Sequence, residues 1–374
     1  MTKIIFAIIV GIHALIHLMG LVKAFNWAEI KELALPISKP LGLLWGVACC
    51  LFLAALIQYL LKNDYWPVTA FVAVFISQTL VILFWQEAKF GSVINMLILI
   101  VSIVAFAQLG FERKVSAEMD ALFSQIGKKA RTPITSEMVE RLPAPVQRWL
   151  DRANVIGKEK IYAVRLKQKA QMKMKPEQDM WTEANAEQYF TIDRPAFIWR
   201  VNMQMMPFIS ISGRDKFVDG KGEMLIKILS LFPVADVSGN EKINSGALQR
   251  YLAEIVWFPS AALCPYITWQ EIDDFSAKAT MTYKGTSGSG VFHFDKDGNF
   301  VRFSAWRYMG GEENAALKEW IVTVDEIRMM NGVYIPVKMK ATWKLESGDW
   351  TWLKLEITDI EYNNPSEYNG KEMQ

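Results

Sequence analysis

The chain has 374 residues, of which 52% are hydrophobic, and a formal net charge of +2 at pH 7. A charge so near zero does not suggest nucleic-acid binding, which basic surfaces favour. The three cysteines, Cys49, Cys50 and Cys264, exclude a disulfide framework and a thiolate metal cluster.

Four uncharged stretches open the chain, at residues 4–22, 41–61, 65–86 and 91–111. Each has about 20 residues, the length that a helix needs to cross a bilayer core of ~30 Å. The stretch at residues 4–22 lacks a small-residue cleavage site and is expected to be a retained helix rather than a signal peptide. The sequence therefore predicts four transmembrane helices over residues 1–111.

Basic residues flank these spans on both sides of the membrane. Lys3, Lys62, Arg113 and Lys114 share the side of the termini, with Lys128 and Lys129 further along. Four lysines lie on the opposite side: Lys23, Lys31, Lys39 and Lys89. The positive-inside rule favours a cytoplasmic soluble domain by a narrow margin, and the other side stays open. We expect a multi-pass protein of the bacterial inner membrane.

Two histidines in the first span, His13 and His17, are four residues apart and share a helix face. They suit either a metal or haem ligand pair or two neutral imidazoles that hydrogen-bond to neighbouring helices. The second interpretation is favoured because the spans contain no carboxylate. Polar amides in the other spans, such as Asn95, are expected to form interhelical hydrogen bonds.

Residues 112–157 are predicted to form a helical connector. A polar amphipathic helix over residues 115–129 ends at Thr132-Pro133, a second helix opens at Thr135, and a third starts at Pro143.

After Gly157 the hydrophobic period changes from 3.6 to 2, which predicts strands with one buried and one wet face. Strands are expected at residues 161–175, 181–192, 197–205, 209–218, 222–229, 277–284, 290–294, 300–306, 320–328, 333–345 and 351–362. Turn pairs such as Asn331-Gly332 separate several of them. The Gly/Ser-rich residues 285–290 are interpreted as a flexible hairpin loop.

One predicted helix, residues 245–257, interrupts the strands and ends before Pro259. We therefore expect residues 158–374 to form an α+β domain, with a curved, half-barrel-like antiparallel sheet of about ten strands around the inserted helix. Beyond residue 111 lie 15 of the 18 methionines and 10 of the 14 tryptophans. These side chains suit either an apolar ligand cavity or an ordinary core.

Several short motifs occur in order along this domain. They are Gly213-Arg214-Asp215, Asp219-Gly220-Lys221-Gly222, Pro233-Val234-Ala235-Asp236, Arg250-Tyr251-Leu252-Ala253-Glu254 and Trp257-Phe258-Pro259. With them, roughly residues 140–365 resemble a family of uncharacterised bacterial proteins that carry a domain of unknown function behind membrane helices. The resemblance implies no activity. The strand pattern is also similar to the half-barrels of the periplasmic lipoprotein-localisation carriers.

The motif residues supply the candidate ligand-binding site. Its members are Arg214, Asp215, Arg250, Tyr251, Glu254 and Trp257. Arg250 and Glu254 are one helical turn apart and can pair. Arg214 and Asp215 can form a structural ion pair or line a pocket, where an arginine could hold a phosphate or carboxylate.

Familiar catalytic patterns are absent from the sequence. There is no dinucleotide fingerprint, phosphate-binding lysine loop or Gly-x-Ser-x-Gly elbow. His293 is the one histidine beyond the spans, and its strand position predicts a solvent-side imidazole. We predict no catalytic residue, metal site or cofactor.

Three functional hypotheses follow. The favoured one is a membrane-tethered module that binds a hydrophobic or lipid-like molecule, with the bilayer and an apolar small molecule as partners, no nucleic acid, and the protein partner left open. The second is an enzyme acting on a membrane-derived substrate through Arg214, Asp215, Glu254 or Asp273. The third is a structural or assembly protein whose soluble domain binds another protein.

Overall fold

The computed structural model describes residues 2–127 and 132–368. The chain divides into two compact units, Met1–Glu112 and Arg113–Gln374. The described part of the first unit contains helices and loops, and the second is built on one large antiparallel sheet. The predicted combination of four membrane helices with an α+β domain is therefore confirmed.

Among the described residues, four helices are long and apolar enough to cross a membrane. They are α1 (Thr2–Ala24), α2 (Lys39–Leu60), α3 (Trp66–Leu83) and α5 (Gly91–Ser124), and the short α4 (Trp85–Ala88) lies between the last two. Pro40 and Pro67 stand in first turns, where the N–H that proline lacks has no helical partner anyway. By length and composition, this is a membrane protein.

Helix α5 continues beyond the predicted end of the fourth span. Residues 112–124 contain good helix formers such as alanine, glutamate and lysine, and no proline or glycine that would stop the helix. The amphipathic residues predicted from 115 onward are thus the last turns of α5. Their continuation at Lys128 and Lys129 lies outside the described residues.

The polar side chains of the spans bond to one another, as the sequence predicts. His13 Nε2 lies 2.9 Å from Asn95 Oδ1, and His17 Nε2 lies 2.8 Å from Ser77 Oγ. His17 Nδ1 donates to the carbonyl of His13. These bonds connect helices α1, α3 and α5 and remove the cost of placing polar groups among apolar helices.

Two short helices precede the sheet, α6 (Ser136–Val139) and α7 (Ala144–Arg152). Both begin where the sequence predicts. Trp149 of α7 packs against Phe292 and Phe294, with ring centroids 5.9 and 5.8 Å apart.

In the part of the second unit that the structure describes, 13 strands form one antiparallel sheet. They are β1 (Ala163–Met172), β2 (Thr182–Thr191), β3 (Ala196–Met206), β4 (Ile209–Val218), β5 (Lys221–Ile228), β6 (Phe232–Ser238), β7 (Ile267–Asp273), β8 (Ser276–Tyr283), β9 (Thr286–Phe294), β10 (Phe300–Tyr308), β11 (Leu317–Met330), β12 (Val333–Leu345) and β13 (Gly348–Tyr362). Their order is β6-β5-β4-β3-β2-β1-β13-β12-β11-β10-β9-β8-β7.

The count exceeds the predicted ten because both edge strands, β6 and β7, escaped the prediction. Strand β6 is short and contains Pro233, and β7 ends in three acids or amides around Ile272. Proline, charge and short length are common at sheet edges because they discourage pairing with other chains, and they also obscure the alternating pattern.

Helix α8 (Glu241–Glu254) connects the two edge strands and packs on the concave face, against β4, β5 and β8–β10. Asn240 caps it by accepting a bond from Ile243 N. Two 3₁₀ helices follow, Ile255–Trp257 and Pro259–Leu263. The sheet curls until Thr286 Oγ1 donates to Gly220 O across the gap, 2.7 Å away. This is the predicted half-barrel.

The Gly/Ser-rich residues 285–290 are part of a strand, so their interpretation as a flexible loop was wrong. All but Gly285 belong to β9. A Cβ on Gly288 would lie 2.7 Å from Gln249 Cγ, and one on Gly290 would lie 2.0 Å from Phe303 Cζ. Glycine is therefore required by close approach to α8 and β10 rather than by flexibility.

Candidate functional site

Arg214 and Asp215 point to opposite faces of the sheet, because successive side chains of a strand alternate between its two faces. Arg214 lies on the convex face and is 3% exposed. Its Nε is 3.1 Å from Glu118 of α5, and its Nη1 donates to Glu223 at 3.0 Å. Asp215 lies on the concave face beside α8. The two residues therefore belong to different sites.

On the concave face, Arg250 joins two carboxylates. Its Nη1 donates to Asp215 Oδ2 at 2.7 Å, and its Nε donates to Glu254 Oε1 at 2.9 Å. The second pair is the predicted contact across one turn of α8. Of the six residues predicted from the sequence, Asp215, Arg250 and Glu254 are brought together in this cluster.

Uncharged polar side chains extend the cluster across the sheet. Gln188 donates to Glu254 Oε2 at 2.8 Å and accepts from Gln168 at 3.3 Å. Trp199 Nε1 donates to Gln168 Oε1 at 2.9 Å. The guanidinium carbon of Arg250 lies 4.7 Å from the Trp199 ring centroid. The cluster thus has a continuous hydrogen-bond chain over β1, β2 and β3.

The cluster lies deep in the protein. The side chains of Arg250, Asp215 and Glu254 are 15%, 24% and 12% exposed. Desolvation raises the pKa of Asp215 above its ordinary value although Arg250 opposes the shift. The pKa of Glu254 is raised for the same reason, with Arg250 and Gln188 opposing. Both carboxyls therefore hold a proton more readily than free side chains do.

A second arginine, Arg307 of β10, lies beside this cluster. Its Nε would be 3.1 Å from a Cβ on Gly246, one turn before Arg250 on α8. Its guanidinium carbon is 4.8 Å from the Trp320 ring centroid and 5.9 Å from that of Trp343. Desolvation, and then the charge of Arg250, lower the pKa of Arg307 to about 10, which leaves it cationic at neutral pH.

Arg307 forms no ion pair or hydrogen bond with another described residue, and its Nε is enclosed. The nearby carboxylates of Asp215 and Glu254 are both bound to Arg250. Arg307 therefore offers donors on the concave face that the rest of the described chain does not use.

Tryptophans continue from Arg307 along the concave face. Trp320 of β11 pairs in register with Trp343 of β12, which in turn pairs with Trp350 of β13. The indole N–H groups of Trp320 and Trp350 are enclosed and make no hydrogen bond to the described residues. A row of aromatic side chains thus flanks the charged cluster; Trp320 and Trp343 are buried, and Trp320 and Trp350 have unused donors.

Tyr251 and Trp257, the remaining predicted site residues, are core side chains. Tyr251 Oη donates to Thr191 O at 3.1 Å, and Trp257 Nε1 donates to Pro336 O at 3.1 Å. Both are essentially unexposed. They connect α8 and the following 3₁₀ helix to the sheet beneath, which positions Arg250 and Glu254.

Residues of the enzyme hypothesis are dispersed. Asp215 and Glu254 belong to the concave cluster, Arg214 to the convex face, and Asp273 to the β7–β8 turn, where its Oδ1 accepts from Phe275 N at 2.8 Å. His293 is half-buried on β9, next to Arg302 of β10 in register.

Sequence reasoning missed Gln168, Gln188, Trp199 and Arg307. Gln168 interrupts the buried row of Leu166 and Ala170 on β1, and Gln188 interrupts that of β2. Arg307 likewise occupies the buried-side parity of Phe303 and Ala305 on β10. A polar residue at an apolar position of an alternating strand was the available signal.

One pocket among the described residues, of about 450 Å³, lies elsewhere in the second unit. Its lining includes Leu122 and Gln125 near the end of α5, Arg194 and Pro195 of the β2–β3 turn, and Tyr283. The residues of the concave cluster do not line it.

The chain was compared with known proteins. A family model described as a family of unknown function, DUF6920, matches residues 140–362, which agrees with the resemblance inferred from the motifs. No curated protein matches the chain. Among solved structures, it is similar to a LolA superfamily protein, NE2245, from Nitrosomonas europaea, at 8% identity and a TM-score of 0.31, over 59% of this chain and 94% of that one.

Proposed function

Because this chain belongs to the DUF6920 family, whose function is unknown, we propose a function from its own residues: the second unit binds a lipid-like molecule with an anionic head group and performs no catalysis. The concave face is the binding surface. Of the residues predicted from the sequence, Asp215, Arg250 and Glu254 border the ligand, and Arg214, Tyr251 and Trp257 hold the surrounding fold.

The state of Arg307 carries this proposal. A guanidinium has five N–H donors. Arg307 is half-buried, and its enclosed Nε has no hydrogen-bond partner among the described residues, which is costly. The neighbouring carboxylates of Asp215 and Glu254 are bound to Arg250 and make no ion pair with Arg307. A carboxylate or phosphate can accept two parallel bonds from an arginine, so an anionic head group would supply the missing partner.

Apolar walls beside Arg307 support an acyl or isoprenoid tail. The Trp320–Trp343–Trp350 row is continued by Met339 and Leu355, which pair in register on β12 and β13. Aromatic and methionine side chains adapt to flexible hydrocarbon without demanding one shape.

The four spans would give the ligand a source in the bilayer. We propose that they lie in the inner membrane of a bacterial cell, with the second unit on the cytoplasmic side. The basic residues near the span ends support that orientation by a small excess.

Lipid analysis of the full-length protein tests the proposal. The protein is extracted gently, and bound lipids are identified by native mass spectrometry and quantified. We expect an acidic amphiphile to copurify with the wild type and to fall at least fivefold in Arg307→Gln. The matched control is Arg302→Gln on the same strand, because Arg302 already pairs with Glu319 at 3.1 Å on a more exposed surface.

A wild-type protein without copurifying lipid would overturn the proposal. Equal lipid loss in both variants would also contradict it, since the loss would then reflect general destabilisation. Retention of an acidic lipid by Arg307→Gln would remove Arg307 from the site.

A further inference from the structure

Two neighbouring hairpins of the second unit end in exposed apolar side chains. We call these side chains the apolar hairpin tips: Met205, Met206 and Phe208 between β3 and β4, and Phe232 and Val234 at the start of β6. The hairpins are adjacent because β4 pairs with β5. Leu229 N donates to Ser210 O at 2.8 Å, and the hydroxyls of Ser212 and Ser230 are 3.0 Å apart. The tips therefore form one local surface.

Their exposure is high for side chains of this type. Phe208 is 74% exposed and Phe232 is 63% exposed. Single exposed apolar residues are ordinary, but a cluster of them indicates an interaction surface.

Charge is absent from the chain around the tips. Residues 201–213 and 228–235 contain no Asp, Glu, Lys or Arg. Charged residues make up 21% of the chain, and exposed turns are among the places where they normally lie. The surface therefore suits an apolar partner that binds without forming ion pairs.

Backbone conformation gives independent support. Phe208 has φ +71°, and Leu229 and Ser230 have φ +53° and +56°. This left-handed region disfavours side chains with a Cβ, so glycine or asparagine is the usual residue there. A large aromatic residue at such a turn is not explained by local stability, which points to a role for the exposed ring itself.

We propose that the apolar hairpin tips dock on a lipid bilayer surface. Methionine, phenylalanine and valine lower their free energy by entering the headgroup–acyl boundary, and an uncharged backbone turn adds little cost there. The chain itself keeps a bilayer nearby, because the second unit begins at Arg113, inside helix α5 and two residues after the end of its uncharged stretch. Covalent attachment gives the tips a high effective concentration at that surface, so weak apolar contacts suffice.

Photo-crosslinking in native membranes tests this docking. Benzoylphenylalanine replaces Phe208 or Phe232 in the full-length protein, and adducts are separated into lipid and protein classes by mass spectrometry. The matched control is Phe275, which is 50% exposed in the β7–β8 turn and follows Asp273 and Asp274. We expect lipid adducts at positions 208 and 232 at several times the yield at position 275.

A second variant separates docking from folding. Phe208→Asn keeps a residue that tolerates positive φ, so the turn should fold. We expect it to lower the lipid adduct yield at position 232 by at least half, whereas Phe275→Asn should leave that yield unchanged. Both variants should melt at or above the wild-type temperature.

Protein adducts at position 208, including adducts to a second copy of this chain, would overturn the proposal, as would lipid yields equal to those at position 275. The outcome is independent of the concave-face ligand. Loss of copurifying lipid in Arg307→Gln with intact crosslinking at the tips would leave docking in place, and the reverse result would remove docking alone.

Discussion

Arg250 forms two close ion pairs on the concave face. Its guanidinium holds Asp215 and Glu254 at 2.7 and 2.9 Å and lies over the ring of Trp199. Without it, both enclosed carboxylates would lose the cation that they bind. The arginine therefore holds together groups that are costly to desolvate.

Replacing Arg250 should be costly for this reason. We expect Arg250→Met to lower the free energy of unfolding by about 3 kcal/mol, because removing one partner of a buried ion pair leaves the other charge unmatched. Chemical denaturation of the full-length protein in detergent measures the loss. Arg302→Met, at an exposed pair, should cost less than about 1 kcal/mol.

Adding Asp215→Asn and Glu254→Gln to Arg250→Met should recover much of that loss, since no enclosed carboxylate is then left without Arg250. If the triple variant were less stable than Arg250→Met, the assignment of the cost to unpaired carboxylates would be wrong.

The raised pKa of Asp215 makes a pH prediction. The folded protein holds this proton at higher pH than the unfolded chain does, so folding binds a proton in the window above the ordinary value of 3.8. The contribution of Asp215 to stability is therefore greatest at low pH and falls as pH rises through that window. Melting temperatures of the wild type and Asp215→Asn check this. The wild-type value minus the variant value should decrease from pH 4 upward.

Glu361 should show the opposite sign. Its bond to Arg165 lowers its pKa below the ordinary 4.5, so its stabilisation is present at neutral pH and is lost as pH falls below that value. Parallel slopes for Asp215→Asn and Glu361→Gln would contradict both assignments.

At the scale of elements, strand interiors were predictable and strand edges were not. The alternation in residues 333–345 matches β12 because one face meets the core and the other meets water. Strands β6 and β7 have no neighbouring strand on one side. Their sequences therefore contain residues that discourage pairing with other chains, and the alternation of apolar and polar residues is weaker. Arg307 and Gln188 could not be predicted as site residues, because alternation identifies the faces of a strand but not which buried positions contact other polar groups. The finer division, with a connector at residues 112–157, stays a prediction.

Strand β9 offers a test of packing against β10. A Cβ at position 290 would overlap the Phe303 ring. We expect Gly290→Ala to destabilise the protein by about 1–3 kcal/mol, the range for overpacked cores. Phe303→Leu should restore part of the loss in the double variant, measured by thermal unfolding. Full additivity of the two changes would show that position 290 does not contact that ring.

At the scale of the whole molecule, membrane helices and a half-barrel are joined in one chain, which tethers the proposed binding face to the bilayer. Ligand binding should then stabilise the second unit. At 100 times its Kd, a ligand raises the free energy of unfolding by about 2.7 kcal/mol. We expect added acidic lipid to raise the melting temperature of wild type and Arg302→Gln but not of Arg307→Gln. Equal shifts in all three would indicate nonspecific solvation by lipid.

The opposite orientations of Arg214 and Asp215 also restrict how the sheet can assemble. A slip of β4 by a single residue would turn the arginine toward Arg250 and the aspartate toward Glu118, which sets like charges against each other on both sides at once. Any shift of β4 by an odd number of residues would therefore create unfavourable contacts between like charges on both faces of the sheet. The dipeptide therefore favours the register in which the Asp215 side of β4 faces the interior of the sheet.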